Sequence, residues 1–275
     1  MKKKFGIIGK PLSHSLSPVL HNYWFKKYEI LADYSLIEIK LNDIKTIINK
    51  IRTRDLHGIN VTVPYKQAVI PFLDTVEGDA KNTLSVNTIS LNREEKIVGN
   101  NTDVFGFEQG FINKLESISF KETSALILGA GGVTHSIIYA LEKKKIGKIF
   151  LSNRTIKKAE EIGKKFPNIN IVAWEDIERK IKNVDIVINA TSLGLKGGED
   201  FKQQFDKIET GLIYYDVVYN PEETKMIKKF KKKGAKTFNG FEMFIYQGQK
   251  SFLIWNETNP DVDLRLKQTI LSKLK

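Results

Sequence analysis

A glycine-rich turn in the middle of the chain places the strongest limit on how this sequence can fold. Gly129-Ala130-Gly131-Gly132 directly follows an apolar run at 125–128 and directly precedes a segment with helical periodicity. A buried strand, a tight glycine turn and a helix start present backbone N–H groups and the positive end of a helix dipole to an anion. The turn therefore predicts a phosphate-binding site at the first strand of a nucleotide-binding sheet. Because nearly half of the chain precedes it, we expect a separate folded unit in front, which should hold the substrate.

Residues beyond the next strand indicate which dinucleotide this turn would bind. The turn alone is weak evidence, because Thr134 stands where a complete G-x-G-x-x-G motif has its last glycine. About 20 residues beyond the glycines, where an NAD site carries a carboxylate, the chain has Asn153, Arg154 and Thr155. Arg154 can hold a 2′-phosphate through two hydrogen bonds and Lys158 can add positive charge, which favours NADP. The alternative is that Arg154 only begins a solvent-exposed basic helix.

The composition indicates a globular protein without thiol chemistry. The chain has 275 residues, of which 41% are hydrophobic, enough for two compact domains. It contains no cysteine, which excludes disulfides and thiolate metal sites and fits a reducing cytoplasm. No apolar run reaches the length of a membrane span, so we expect no membrane association. Since the four histidines, at 14, 21, 57 and 135, lack the spacing of metal ligands, we also expect no metal.

The positive net charge does not predict a nucleic-acid partner. The formal charge is +12, but the basic residues are scattered along the chain and are mostly lysine. The densest run, at 228–233, lies on a predicted helix and is better explained as a solvated face. A positive surface would still attract an anionic cofactor and an acidic substrate. We therefore expect small-molecule partners and no nucleic acid.

Alternating strand and helix patterns predict an α/β protein. In the first half, a strand at 5–8, a helix opened by Ser17 as N-cap and Pro18, and a strand at 34–39 come first. A helix at 43–51, a strand at 58–61, a helix beginning at Lys66 and a hairpin of 85–91 with 96–99 follow. After a helix from 104, strands at 125–128, 148–153, 170–172, 185–189, 214–217 and 236–238 predict a doubly wound sheet. Two helices, at 241–257 and 262–274, complete the chain.

These elements divide the chain into two predicted domains. The N-terminal α/β domain, with a mainly parallel sheet, would comprise 1–103 plus 241–275 and bind the substrate. A Rossmann-type nucleotide-binding domain would comprise 104–240. The sequence leaves open whether the protein is a monomer or a homodimer.

Polar residues concentrate where the strands of the first half end, which is where open α/β sheets bind ligands. Ser15 and Ser17 follow the first strand, and their hydroxyls suit a small carboxylate, although Ser17 is equally explained as an N-cap. Thr62 and Lys66 follow the strand at 58–61, where Lys66 is either an idle surface residue or a functional one. The segments 86–88 and 100–103 add amides and the Asp103 carboxylate.

Nine short motifs make the chain resemble the shikimate dehydrogenase family over nearly its whole length, from Phe5 to Phe252. In order they are PLSHSLSPVLHN, GINVTVPYK, VNT, GNNTD, GAGG, NRT, NATSLG, DVVYNPEET and GFEMFIYQ. The resemblance implies an oxidoreductase that reversibly reduces 3-dehydroshikimate to shikimate with NADPH, a step in aromatic amino acid (chorismate) biosynthesis.

The resemblance also implies roles for individual residues. Lys66 and Asp103 would be the catalytic pair: the lysine would stabilise the developing alkoxide and protonate it, while the carboxylate orients the ammonium. Substrate binding would fall to Ser15, Ser17, Thr62, Lys66, Asn87, Asp103, Tyr219 and Gln247. Cofactor binding would fall to Gly129, Ala130, Gly131, Gly132, Val133, Asn153, Arg154, Thr155, Lys158, Thr191, Val217 and Gly240.

Some positions depart from the family pattern. Val133 stands where a small residue is usual and His135 stands near a usual arginine, which affects the expected phosphate contacts. Leu195 replaces a common methionine and Ser85 a usual alanine, with little expected consequence. Two rival functions stay open: a relative that oxidises quinate as well as shikimate and prefers NAD, and a non-catalytic NADP-binding sensor. A sensor would not need Lys66 and Asp103 together.

Overall fold

The computed structural model of the protein describes residues 2–115, 118–206 and 208–274. The chain forms two compact units, Met1–Gly106 with Ile245–Lys275, and Phe107–Phe244. Within the described residues, no helix is long and apolar enough to cross a membrane.

Strands and helices alternate along the whole chain. The elements before the glycine turn are β1 (Lys3–Gly9), α1 (Ser17–Lys27), β2 (Ala32–Glu38), α2 (Ile44–Arg52), β3 (Gly58–Val61), β4 (Thr75–Val76), α3 (Asp79–Thr83), β5 (Thr88–Leu91), β6 (Ile97–Asn100), α4 (Asp103–Gly110) and β7 (Ser124–Leu128). Those after it are α5 (Gly132–Lys143), β8 (Lys148–Ser152), α6 (Ile156–Lys165), β9 (Ile169–Val172), α7 (Ile177–Lys180), β10 (Ile186–Asn189), β11 (Ile213–Asp216), α8 (Lys225–Lys232), β12 (Lys236–Asn239), α9 (Phe241–Asn256) and α10 (Leu264–Leu271).

The sheet of the first unit has the strand order β2-β1-β3-β5-β6-β4. The pairs β1/β2, β1/β3 and β4/β6 are parallel, whereas β3/β5 and β5/β6 are antiparallel. Because β3 and β6 are each antiparallel to β5, these two strands run in the same direction as β1. The carboxyl ends of β1, β3 and β6 therefore lie at one edge of the sheet, together with the start of β5.

The sheet of the second unit is entirely parallel, with the order β12-β11-β10-β7-β8-β9. Its order reverses between β7 and β10, and the loops after these strands leave in opposite directions there, which opens the crevice used by nucleotide-binding sheets. All six strands predicted for this sheet are present, with ends within one residue of the predicted ones. The fold is the predicted α/β class with a Rossmann-type sheet.

Each unit has its own hydrophobic core. In the first, Ile47 and Ile51 from the apolar face of α2 pack against sheet residues such as Ile8 and Ile59. In the second, sheet residues including Leu126, Val187 and Tyr214 pack against Met226 and Phe230 of α8. Burying an apolar side chain of this size stabilises the fold by about 1.5–3 kcal/mol.

The C-terminal segment packs against α1 within the first unit. The indole of Trp24 donates a hydrogen bond to the carbonyl of Asp261 at 2.9 Å, and the hydroxyl of Tyr23 donates to Asp263 at 2.9 Å. Phe25 and Phe252 place their ring centroids 5.3 Å apart. These contacts fix α9 and the segment leading into α10 against α1.

Two local predictions in the first half are wrong. No helix begins at Lys66: residues 66–69 form successive turns that lead into a 3₁₀ turn at Ile70–Phe72. Ser17 is not the N-cap of α1 but its first helical residue, because Leu16 occupies the cap position and no side chain caps the helix. In both places particular hydrogen bonds set the geometry, and residue preferences alone do not specify them.

Candidate functional site

Lys66 and Asp103 form a buried ion pair in the first unit. Lys66 follows β3 and Asp103 begins α4 directly after β6, so the sheet brings both to the same edge. The Lys66 Nζ lies 2.5 Å from Asp103 Oδ2, and the two side chains are 10% and 7% exposed. The ion pair is therefore largely desolvated, which suits a proton donor to a bound ligand.

Asn87 holds the carboxylate of this pair from the other side. Its Nδ2 donates to Asp103 Oδ1 at 2.9 Å, while its Oδ1 accepts from the backbone N–H of Thr102 at 2.7 Å. The backbone N–H of Val86 donates to the carbonyl of Lys66 at 2.8 Å. The two residues just before β5 thus hold both members of the ion pair, and Asp103 is left to orient the ammonium.

The neighbouring Asn101 has a structural explanation. Its Oδ1 accepts from the backbone N–H of Val104 at 3.2 Å, and its Nδ2 donates to the carbonyl of Ser85 at 2.7 Å. It therefore caps α4 and ties its start to the segment before β5.

Ser15 and Ser17 lie together beyond the end of β1. Ser15 donates to the hydroxyl of Ser17 at 3.2 Å, and its own oxygen accepts weakly from the backbone N–H of Ser17 at 3.4 Å. Ser17 does not cap the helix, but it is buried and its side chain also bonds to the Tyr34 hydroxyl, so part of its role is structural. Thr62 is half-buried at the end of β3, and its methyl group packs closely over Gly9 at the end of β1.

The two remaining substrate-site candidates lie in different units. Gln247 is half-buried on α9 in the first unit, and its backbone carbonyl accepts from Ser251 at 3.0 Å. Tyr219 belongs to the second unit, where its ring stacks on Phe244 at 4.6 Å between centroids.

A buried polar network beneath the ion pair was missed by the sequence analysis. The Asn60 amide donates to Ser251 Oγ at 2.9 Å, and that oxygen also lies 2.8 Å from Thr88 Oγ1 and 3.1 Å from Thr102 Oγ1. The Tyr34 hydroxyl donates to Asn60 Oδ1 at 2.7 Å. Asn60 is a polar residue inside an otherwise apolar strand, and this was the feature that could have pointed to the network.

In the second unit the glycine turn adopts the geometry of a phosphate-binding loop. Gly129 has φ +111°, and a Cβ there would lie 2.7 Å from Thr191 Cγ2, so only glycine fits. A Cβ on Gly131 would meet nothing within 4 Å, so the space beside that residue is open to a ligand. Gly132 begins α5, whose positive end faces this turn.

Side chains around the turn hold its shape. Thr134, in place of the usual last glycine, donates to the Gly129 carbonyl at 2.8 Å and accepts from the Gly131 N–H at 3.2 Å. Asn153 accepts from the Ala130 N–H at 3.1 Å. The two hydrogen bonds of Thr134 therefore stabilise the turn, although the last glycine of the motif is missing.

The two unusual residues near the turn lie on α5. Val133 is half-buried in the first turn of the helix. His135 is buried, and its Nδ1 lies 3.3 Å from the Gly131 carbonyl. Burial lowers the pKa of His135 to about 4, so the imidazole is neutral at pH 7 and offers no charge to a phosphate.

The predicted 2′-phosphate residues follow β8. Asn153 donates to the Thr155 carbonyl at 2.9 Å, and Thr155 is the N-cap residue of α6. Arg154 is exposed and pairs with Glu199, with Nη1 and Oε2 3.0 Å apart. Lys158 is exposed in the first turn of α6. Basic side chains thus border the crevice at the second strand of the sheet.

The last three cofactor candidates follow β10, β11 and β12. Thr191 donates to Asn189 Oδ1 at 2.6 Å, and the Val217 N–H donates to the Asn189 carbonyl at 3.0 Å. A Cβ on Gly240 would lie 2.0 Å from the Val217 carbonyl oxygen, so glycine is required there. These residues line the carboxyl edge of the sheet next to the turn.

A buried carboxylate, Asp216, stabilises this edge. It accepts hydrogen bonds from Asn189 at 2.8 Å, Thr224 at 2.8 Å and the Val218 N–H at 3.0 Å. Burial raises the pKa of Asp216 to about 6, against the opposing effect of these hydrogen bonds. Its partners are all structural, so it belongs to the scaffold.

Taken together, the turn fits a dinucleotide carrying a 2′-phosphate. The open space at Gly131, the start of α5 and the exposed Arg154 match a pyrophosphate and a second anionic group. Among the described residues, no group of three or more His, Asp or Glu side chains is placed to hold a metal ion.

Comparisons with known proteins agree with this geometry. Residues 7–89 match the family of the shikimate dehydrogenase substrate binding domain, and residues 112–196 match the shikimate / quinate 5-dehydrogenase family. A Pelagibacter ubique protein named shikimate dehydrogenase (NADP(+)) is 49% identical, over 96% of this chain and 97% of its own length.

Two solved structures are similar throughout. Shikimate dehydrogenase from Aquifex aeolicus has a TM-score of 0.87 and 37% identity, covering 98% of this chain and 97% of its own. Quinate dehydrogenase from Corynebacterium glutamicum, in complex with NAD, has a TM-score of 0.88 and 29% identity, covering 98% and 99%. The two family matches, the identity of the first relative and the shared fold lead to one conclusion: the chain belongs to the shikimate dehydrogenase family.

Proposed function

We propose that the protein catalyses the reversible NADPH-dependent reduction of 3-dehydroshikimate to shikimate, in the biosynthesis of chorismate and the aromatic amino acids. The observation that carries this proposal is the buried Lys66–Asp103 pair at 2.5 Å, in a chain whose relatives are named NADP-dependent shikimate dehydrogenases. A desolvated lysine held by a carboxylate at a strand-end edge is suited to move a proton to and from a ligand oxygen.

NADPH, when bound, supplies a hydride to the carbonyl carbon of the substrate. The charge that develops on the carbonyl oxygen needs a cation beside it, and Lys66 supplies both this cation and the proton that converts the alkoxide to a hydroxyl. Asp103 keeps the ammonium in place through Oδ2 and is itself fixed by Asn87 on Oδ1. In the oxidation direction, Lys66 in its neutral amine form would take up the hydroxyl proton and become the ammonium.

The other substrate-site candidates supply hydrogen bonds for a small polyhydroxylated acid. Ser15 and Ser17 bind the ring carboxylate in this proposal, together with Tyr219. Thr62, Asn87 and Gln247 bind the ring hydroxyls and the reacting oxygen. The pairing of Ser15 with Ser17 supports this assignment, because it places two hydroxyl oxygens 3.2 Å apart beyond the end of β1.

The proposed cofactor is NADP, held in the second unit by the turn at 129–133, by 153–155 with Lys158, and by Thr191, Val217 and Gly240. Arg154, where an NAD site carries an acid, supports NADP. The rival function, oxidation of quinate with NAD, is weaker for the same reason. We propose a cytoplasmic enzyme, with 1–103 plus 241–275 binding substrate and 104–240 binding cofactor, that acts as a monomer or homodimer.

An absorbance assay tests the reaction directly. Purified protein is mixed with shikimate or quinate and with NADP⁺ or NAD⁺, and formation of the reduced nicotinamide is followed in all four combinations. We expect the highest kcat/KM with shikimate and NADP⁺. Absence of turnover in every combination would remove the catalytic proposal, and faster turnover of quinate with NAD⁺ would favour the rival.

Replacing the lysine tests its assigned role. Lys66→Ala should lower kcat by about 10²- to 10⁴-fold, the usual contribution of a positioned acid–base group, and leave shikimate binding largely intact by calorimetry. Lys66→Met keeps most of the side-chain volume and therefore separates the loss of the amine from a loss of packing. Lys96→Ala removes a surface ion pair with Glu94 and should leave kcat unchanged. Joint loss of folding and binding in both Lys66 variants would point to a structural lysine.

A further inference from the structure

In the structure, the Arg154 guanidinium that is proposed to bind the cofactor is paired with Glu199. Arg154 is the residue proposed to hold the 2′-phosphate, and its Nη1 lies 3.0 Å from Glu199 Oε2. Both side chains are exposed, at 64% and 72%, so this pair contributes little to folding stability. Breaking such a surface ion pair costs little free energy, but the Glu199 carboxylate still competes with a 2′-phosphate for the guanidinium.

The backbone holds Glu199 near this place. The Gly194 N–H donates to the Glu199 carbonyl at 2.7 Å, and the Gly198 N–H donates to the Leu195 carbonyl at 2.8 Å. These bonds close the loop that follows β10, so Glu199 returns to the carboxyl edge of the sheet, where Arg154 also lies after β8. The backbone at Glu199 is therefore held within reach of Arg154.

We propose that Glu199 is a specificity-determining residue that competes with the cofactor 2′-phosphate for Arg154. A 2′-phosphate carries up to two negative charges and must displace the carboxylate and then remain beside it. A 2′-hydroxyl is neutral and does not experience this repulsion. Glu199 therefore weakens binding of the phosphorylated dinucleotide selectively and reduces the discrimination that Arg154 provides. The inference rests on the proposed NADP site but not on turnover.

Two nucleotides that differ at the 2′-position provide the probe. Dissociation constants of 2′,5′-ADP and 5′-AMP are measured by calorimetry for the wild-type protein and for Glu199→Gln. We expect the variant to bind 2′,5′-ADP about two- to fivefold more tightly at low salt, because the 2′-phosphate no longer has to displace a carboxylate from Arg154, with 5′-AMP unchanged. In an Arg154→Ala background, Glu199→Gln should raise the affinity for 2′,5′-ADP less than twofold, because there is no guanidinium left for which the carboxylate and the phosphate compete.

Asp200→Asn is the matched control. It removes the same charge one residue further along, where Asp200 Oδ2 pairs with Lys225 Nζ at 2.6 Å. This variant should change 2′,5′-ADP binding by less than twofold. If Asp200→Asn and Glu199→Gln raised the affinity for 2′,5′-ADP equally, the change in net charge alone would explain the effect, and the proposal would be overturned. Unchanged or weaker 2′,5′-ADP binding in Glu199→Gln would also overturn it, even if the wild-type enzyme oxidises shikimate with NADP⁺.

Discussion

The buried histidine of the first unit makes stability depend on pH in a way that can be calculated. His21 is fully buried and stacks on Tyr34 with ring centroids 4.4 Å apart. Both ring nitrogens are buried, and the nearby Asn60 side chain offsets only part of the cost of charging the ring. Burial lowers the pKa of His21 from 6.5 to about 3, so the folded protein holds this imidazole neutral.

The sign and size of the effect follow from linkage. Because the pKa is lower in the folded state, the unfolded chain binds the proton more readily, and stability falls as pH drops below about 6.5. At pH 5 the unfolded imidazole is already mostly protonated while the folded one is not. One and a half pH units at about 1.4 kcal/mol each give a loss of about 2 kcal/mol relative to pH 8.

Replacing His21 removes this dependence. His21→Phe keeps an aromatic ring in the cluster and has no titrating group, and His21→Gln covers the case in which the larger ring does not fit. Any packing cost is independent of pH, whereas the free energy of unfolding of either variant, relative to wild type, should rise by about 2 kcal/mol from pH 8 to pH 5. Taking this difference cancels the contributions of Asp216 and His135, which titrate in all the proteins.

Urea unfolding followed by tryptophan fluorescence suits this measurement. Trp24 and Trp255 lie 5.8 and 5.3 Å from the imidazole, between ring centroids, so their emission reports on the surrounding unit. His14→Gln, at an exposed position, is the control and should track wild type at both pH values. Equal losses of stability in wild type and in both His21 variants would refute the reasoning.

The glycines of the second unit give further predictions. Gly129→Ala should lower the free energy of unfolding by about 1–3 kcal/mol, because of the positive φ and the clash with Thr191. Gly131→Ala should leave Tm unchanged and weaken NADP⁺ binding, because its Cβ enters the open space. Thermal melts and calorimetry measure the two effects, and the opposite pattern would contradict the turn geometry. Gly240→Ala should destabilise the protein by about 2 kcal/mol or more, since its Cβ would overlap the Val217 carbonyl; chemical denaturation at wild-type stability would count against this.

The sequence predicted most of the second unit, because its features are local. The central strands of this parallel sheet are buried on both faces and read as short apolar runs, as at 125–128 and 186–189. The glycine turn is equally local, since a positive φ at Gly129 restricts the residue type at that position. The same features could not show that Asn153 and Thr134 brace the turn. Asn153 accepts from the Ala130 N–H, 23 residues earlier, and Thr134 bonds to the Gly129 carbonyl only once the turn has folded back on the helix start.

The first unit was less predictable where irregular segments follow strands. The helix expected at Lys66 is absent, and the cap expected at Ser17 is one residue earlier and has no side-chain bond. Residue preferences describe average helix ends, but these segments are held by particular partners. The Lys66 carbonyl, for example, accepts from the backbone N–H of Val86, 20 residues further along the chain and just before β5.

The sequence by itself determined the alternation of elements, the glycine turn and the residue types available at the strand ends. Only the tertiary structure decided which of those residues meet. Lys66 and Asp103 are 37 positions apart, Arg154 and Glu199 are 45 apart, and Asn60 and Ser251 are 191 apart. Hydrophobic periodicity is imposed residue by residue along the chain, whereas these contacts depend on strand order and register, which the whole sheet sets at once.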